Sequence, residues 1–191
     1  MPWNNSDDLV VAGAGQVYVA ASGTSLPADV TAAGSLSSST WTGLGYHTED
    51  GVTFSSTPDI AEFRAWQARQ AIRRERQGQD LQLTFSLMQW NEKTVEVAFG
   101  ATVSSVTGGY KLDFPDSTAA LTEYAVVVEC IDGSEKHYFA FSRVNVTDTV
   151  EAQFTSNNPA VLPITFKVLP PASGGSPGKY LTSSAAFATG S

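Results

Sequence analysis

One cysteine, Cys130, and two histidines, His47 and His137, are all the thiol and imidazole side chains in these 191 residues. A lone cysteine forms no intrachain disulfide, the pattern of a reducing compartment. In an apolar run, Cys130 reads as a buried, inert thiol. A metal centre needs several such ligands or a dense oxygen cluster. His47 has only Glu49 and Asp50 near it in sequence and reads as part of a solvated turn. His137 reads as a surface or cross-strand residue. Charge is also scarce: 16% of residues are charged, with 11 Lys and Arg against 19 Asp and Glu, a net charge of −8. A chain of that sign does not neutralise phosphates, so tight nucleic-acid binding is disfavoured. It also lacks the basic face that anionic membranes attract. No apolar run approaches the roughly 18 residues of a membrane span. Met1 to Asp8 is polar and acidic without a basic n-region, so no secretory signal is expected.

Hydrophobic residues make up 42% of the chain, an ordinary globular share. By length the chain is one domain, able to bury about 70% of its unfolded surface without a disulfide or metal. Its polarity comes from Ser, Thr, Gly, Asn and Gln, which suits sheets and loops.

Val17 and Val19 alternate with Gln16 and Tyr18, a strand within Leu9–Ala21. Ser22–Thr42 reads as loop. Asp50-Gly51 is a turn signal between strand-like residues in Leu44–Phe54. Thr57-Pro58-Asp59 resembles a helix start, with Ile60, Phe63 and Trp66 following at three-residue steps; the chain turns extended from Ile72. Leu81, Leu83, Phe85 and Leu87 form the cleanest alternation. Asn91 as cap and Gly100 as stop predict a helix between them, against a weaker strand alternation at Val95 and Val97. Tyr110–Phe114 reads as a short strand after Gly108-Gly109. Tyr124–Ile131 and Lys136–Val146 predict a hairpin joined by Asp132-Gly133. Val161–Leu169 is expected to be the last strand, with Pro163 near its start or on an edge. Residues 170–191, rich in Pro, Gly, Ser and Ala, read as a flexible C-terminal arm on a domain spanning 1–169. The sum is a mainly β fold, a β-sandwich or barrel with one or two short flanking α-helices.

Site chemistry is thin. Gly13-Ala14-Gly15 hints at a dinucleotide turn, but Tyr18 stands at the third glycine position and a strand follows, so a bulge or bend is the better reading. No Gly-x-Ser-x-Gly elbow occurs. Neither a catalytic residue, a cofactor nor a metal is expected. Asn4-Asn5-Ser6 and Asn145-Val146-Thr147 match glycosylation acceptors by chance. Five arginines, Arg64, Arg69, Arg73, Arg74 and Arg76, fall within thirteen residues without a lysine. They read either as a solvated face or as contacts to an acidic neighbouring copy. Trp3, Trp41, Trp66 and Trp90 lie near loops or element ends, where core packing and interface anchoring compete. Candidate self-assembly contacts are these five arginines with Trp41, Tyr46, Phe54 and Trp66.

From Gly45 to Gly100 the chain resembles the major tail protein of long-tailed, non-contractile bacteriophages. The likeness rests on Tyr46-His47-Thr48-Glu49-Asp50-Gly51-Val52, Ala65-Trp66-Gln67, the Leu81–Leu87 alternation, and Asn91-Glu92-Lys93-Thr94-Val95 before Phe99-Gly100. Leu162-Pro163-Ile164-Thr165-Phe166 before a loose tail adds to it. The resemblance implies a non-enzymatic virion protein made in the host cytoplasm. It implies six-fold rings stacked into a hollow tail tube through which DNA passes, with a tape measure protein and tail tip or terminator proteins as further partners. It also implies that a long loop and the terminal arms bridge rings; Ser22–Thr42 and Asp50–Arg76 are the loop candidates. Alternatives are another virion component, such as a tail terminator or head decoration protein, and a polysaccharide-binding β module.

Overall fold

The computed structural model describes residues 9–68 and 70–187. Among them the fold is mainly β, with two short helices. Strand β1 (Ala14–Ala21) follows the alternation of Val17 and Val19, both fully buried. The helix α1 (Val30–Ala33) and the two-residue strand β2 (Thr42–Gly43) interrupt the expected loop. Asp29 caps α1, its Oδ1 accepting from the Ala32 amide at 2.8 Å. Two long strands follow, β3 (His47–Arg64) and β4 (Ala71–Leu87). Helix α2 (Glu92–Phe99) begins at Asn91 and ends at Gly100, as the cap and stop residues predict. Asn91 and Thr94 form a reciprocal capping box, and Gly100 takes the left-handed conformation at φ 61°.

Strands β5 (Thr102–Val106) and β6 (Gly109–Asp113) pair as a separate hairpin. The expected hairpin of β7 (Glu123–Asp132) and β8 (Glu135–Val146) forms, with Gly133 at φ 56° in its turn. Strand β9 (Leu162–Val168) carries Pro163 where β8 no longer accompanies it, because β8 meets β9 only from Val144 to Val146. The missing proline N–H therefore costs no bond to β8.

The main sheet is antiparallel, in the order β2-β1-β7-β8-β9-β4-β3. It does not lie flat. Phe54 of β3 stacks on Phe139 and Phe141 of β8 at centroid distances of 5.6 and 5.8 Å. Three strand steps would separate β3 from β8 by about 14 Å in a flat sheet. The β9-β4-β3 half therefore folds over the β1-β7-β8 half. The main core fills the space between them: Val17, Val19, Leu83, Phe85, Val126, Val128, Ile164 and Phe166, with Val97 and Ala98 from α2. A smaller cluster lies on the other face of β7 and β8, where Ala125, Val127, Tyr138 and Ala140 meet Ala33 and Trp41.

Three expectations are corrected and one is narrowed. Asp50-Gly51 makes no hairpin; pairing jumps from His47↔Leu87 to Val52↔Phe85, so these residues form a bulge inside β3, with Gly51 at φ 68°. No helix starts at Thr57, because Ser56 to Arg64 pairs along β4 instead. That ladder outweighs a local cap signal, and Pro58 is tolerated because β3 is the edge strand of the sheet. Of the bulge or bend expected at Gly13-Ala14-Gly15, the bend falls at Gly13, while Gly15 lies in unbroken register with β7. A Cβ there would lie 2.8 Å from the Glu129 carbonyl oxygen, so glycine permits close strand approach. Finally, β9 is not the last strand. Within the expected arm, β10 (Gly178–Thr182) pairs with β8 from His137 to Phe141, the stretch of β8 that β9 leaves bare.

Two outcomes follow from this packing. Phe166→Ala removes a fully buried ring that packs on Phe85 and Tyr124, and should cost about 3–5 kcal/mol in urea unfolding. Phe154→Ala, at a ring 72% exposed, should cost less than about 1.5 kcal/mol. The second outcome concerns acid. Arg143 clamps Glu123 through Nη2–Oε1 at 2.7 Å and Nε–Oε2 at 2.9 Å. Those bonds hold the Glu123 carboxyl below its ordinary value of 4.5. A carboxyl depressed on folding stabilises above its unfolded pKa and loses that contribution as pH falls through the folded one. Thermal midpoints measured from pH 7 to 3 should therefore drop less steeply below about 4.5 in Glu123→Gln than in the parent.

Candidate self-assembly surface

Pairing of β4 with β9 begins only at Gln82. From Ser56 to Arg64 and from Ala71 to Leu81 the strands β3 and β4 bond to each other alone. Nine residues of β3 at about 3.3 Å each make a two-stranded arm about 30 Å long. A ribbon of this kind is marginal in water without a surface to pack on. Yet its side chains are apolar where no core exists to receive them. Ile60 is 49% exposed, Phe63 46%, Ile72 64%, and Trp66, at the tip, 100%.

Charge on the arm is organised. Glu62 lies opposite Arg74 and accepts from it at 2.9 Å, while its other oxygen accepts from Arg64 at 3.0 Å. These bonds, Arg64 first and then Arg74, hold the Glu62 carboxyl below the usual range. Arg73 stands 3.6 Å from Glu75, and Arg76 donates to the Gly78 carbonyl at 3.3 Å. Such exposed pairs add little stability. Their effect is to order guanidinium groups in the open, where Arg and Trp make effective contact anchors. Residues 60–76 contain five arginines and two glutamates, net +3, so the rest of the chain carries −11.

The nine predicted contact residues fall in different places. Arg64, Arg73, Arg74, Arg76 and Trp66 gather on the arm. Arg69 belongs to the same stretch of sequence but lies outside the described residues, as does Trp3. Tyr46, 74% exposed, sits just before β3. Phe54 lies at the arm's root, half exposed and stacked on β8. Trp41 is packed inside its own subunit, 7% exposed against the smaller core cluster. Ile60, Phe63 and Ile72 are not among those nine: three-residue spacing disguised Ile60 and Phe63 as one face of a helix, and Ile72 stands alone in a polar run. The telling signal is symmetry: two polar, strand-length runs flank Ala65-Trp66-Gln67-Ala68.

The ionisable groups elsewhere are placed for structure. Burial lowers the His47 pKa, and its ring meets Phe85 edge-on. His137 is buried, with Nδ1 2.7 Å from the Tyr180 hydroxyl and 3.0 Å from that of Thr182, which ties β10 to β8. Burial, with Glu129 nearby, raises the Cys130 thiol, the opposite of an activated nucleophile. Glu129 accepts from the Tyr138 and Tyr18 hydroxyls, and burial raises both phenols. Asn145 is 7% exposed within β8, no place for a glycan. Among the described residues no group of three His, Cys, Asp or Glu could hold a metal ion, and no helix is long and apolar enough to cross a membrane.

The chain matches the family described as phage tail tube protein over residues 1–188. No curated protein matches it. A mainly β fold with an exposed, anchor-bearing arm agrees with that match: the chain belongs to the phage tail tube protein family, structural and non-enzymatic components of the phage tail.

Proposed function

We propose that this subunit assembles with identical copies into hexameric rings, and that the rings stack into the hollow tube through which DNA passes at injection. The β3–β4 arm bridges one ring to the next, and of the two loop candidates it is the one the observations favour. The observation that carries this reading is the arm itself. It exposes Ile60, Phe63, Trp66 and Ile72 beyond the reach of its own core, beside ordered arginines. Apolar surface of that kind is expected to be covered in a working assembly. By contrast Ser22–Thr42 is pinned to the subunit by α1, β2 and buried Trp41.

The charge division supports the same reading. An arm of +3 and a body of −11 attract when copies meet head to tail and repel body to body. A heterologous contact of that kind propagates rather than closing after two copies. An acidic wall also suits a conduit for DNA. It offers phosphates no counter-charge to bind, and at physiological salt its repulsion reaches about 8 Å. A tape measure protein and tail tip or terminator proteins complete the expected set of partners.

Trp66→Ala and the pair Arg73→Glu with Arg74→Glu test the arm. All three side chains lie in solvent, so thermal midpoints should stay within about 2 °C of the parent, since surface changes cost under about 0.5 kcal/mol. Assembly should fail or weaken at least tenfold, because a central Trp contact is worth about 2 kcal/mol or more. Negative-stain imaging and sedimentation velocity read the result. Tubes of undiminished length and yield from both variants would remove the arm from the assembly.

A further inference from the structure

The strand polarities place one more feature. β4 runs from the arm tip toward α2, β9 runs back toward the arm, and β8 runs away from it again. The residues after β8, 147–150, therefore leave the sheet at the pole opposite the arm tip. β7 is antiparallel to β8 and starts beside its end, Glu123 facing Asn145, so the residues before it, 115–122, arrive at that same pole. There, with the C-terminal end of α2, they enclose a groove of about 510 Å³, within the range of binding pockets.

Its lining has two characters. Phe99, Leu121 and Val150 supply apolar surface, and Leu121 is 60% exposed. Asp116 and Asp148 supply negative charge. The Asp116 carboxyl is oriented: Oδ1 accepts from the Thr118 amide at 3.1 Å and from the hydroxyls of Ser117 and Thr118 at 3.2 and 3.3 Å. Asp148 has Lys167 as its counter-charge only at 3.9 Å. The C-terminal end of α2 adds the negative end of its dipole. A second apolar groove, between Trp90 and Tyr110, is lined by Lys111 and so presents a cation to any basic partner.

Resting on the assembly reading above, we propose that this groove is the socket for the arm tip of the next copy, with Trp66 against Leu121 and Phe99 and the arm's arginines facing Asp116 and Asp148. Three features fit without adjustment. The occupant is apolar and basic, and the socket is apolar and acidic. The two lie at opposite poles of the subunit, so one copy's arm cannot fill its own socket. A contact between opposite poles repeats along an axis, which is the geometry of a stack.

Two experiments on the full chain decide it. Gln67→Cys with Ser117→Cys places a thiol beside the tip and another on the groove. Under mild oxidation, assembled protein should give a ladder of dimers, trimers and higher species on a non-reducing gel; either cysteine alone should give none. The absence of a ladder from tubes of normal length, or a cross-link confined to monomers, overturns the socket. In the second experiment Asp116→Arg with Asp148→Arg should cut tube yield at least tenfold, and adding Arg73→Glu and Arg74→Glu should recover much of it. If the groove variant assembles like the parent while the arm variants fail, the socket is wrong and the arm reading stands. If the arm variants also assemble, the arm reading falls first and the socket with it.

Discussion

Backbone hydrogen bonding along β4 joins the core of this molecule to its arm. From Gln82 to Leu87 the strand bonds to β9 on one side and, over part of that length, to β3 on the other, with Leu83, Phe85 and Leu87 driven into the core. From Ala71 to Asp80 the same strand bonds to β3 alone, beyond the main core. No hinge is needed between core and arm, because the ladder continues past the last buried residue. The core therefore fixes the direction in which the arm leaves the subunit. Buried apolar area supplies the anchoring, and the continuous ladder transmits it outward.

That arrangement separates stability from assembly. The residues that hold the subunit together, such as Phe166, Ile164, Val126 and Val144, are fully buried and lie outside the arm. The residues available to a neighbour, Trp66, Phe63 and the arginines, contribute little to the fold of a single copy. Edge strands usually invite unwanted pairing. Here the edge strand β3 carries Pro58, two bulges along the arm, and the Glu62–Arg74 and Glu62–Arg64 ion pairs. These features blunt backbone pairing and leave side chains to make the contacts. β10 performs a related service elsewhere, covering the part of β8 that β9 does not reach.

Much of this was legible from short-range pattern. Alternation at Val17–Val19 and Leu81–Leu87, the Asn91 cap with its Gly100 stop, and the Asp132-Gly133 turn each encode their element within a dozen residues. Sequence reading failed where a local signal met a long-range partner. Thr57-Pro58-Asp59 has the chemistry of a helix start, but Gln79 and Asp80 across the ladder claim that backbone. Asp50-Gly51 has the chemistry of a hairpin turn, and the sheet absorbs it as a bulge. The tail beyond Pro170 has the composition of a linker, yet a bare strand edge recruits Gly178 to Thr182.

By itself the sequence determined the class of the protein: a β-rich, acidic subunit whose few histidines and single cysteine leave little for chemistry, with a concentration of arginine near one tryptophan. Those properties depend on residue type and local spacing, which a linear reading can see. Only the tertiary structure decided that Arg64, Arg73, Arg74, Arg76 and Trp66 ride on a projecting ribbon, that Trp41 is packing rather than contact, and that an acidic apolar groove opens at the opposite pole. Each of these depends on which strands pair and in which direction. Pairing is settled by the burial of side chains distant in sequence, so it exists only once the chain has closed on itself.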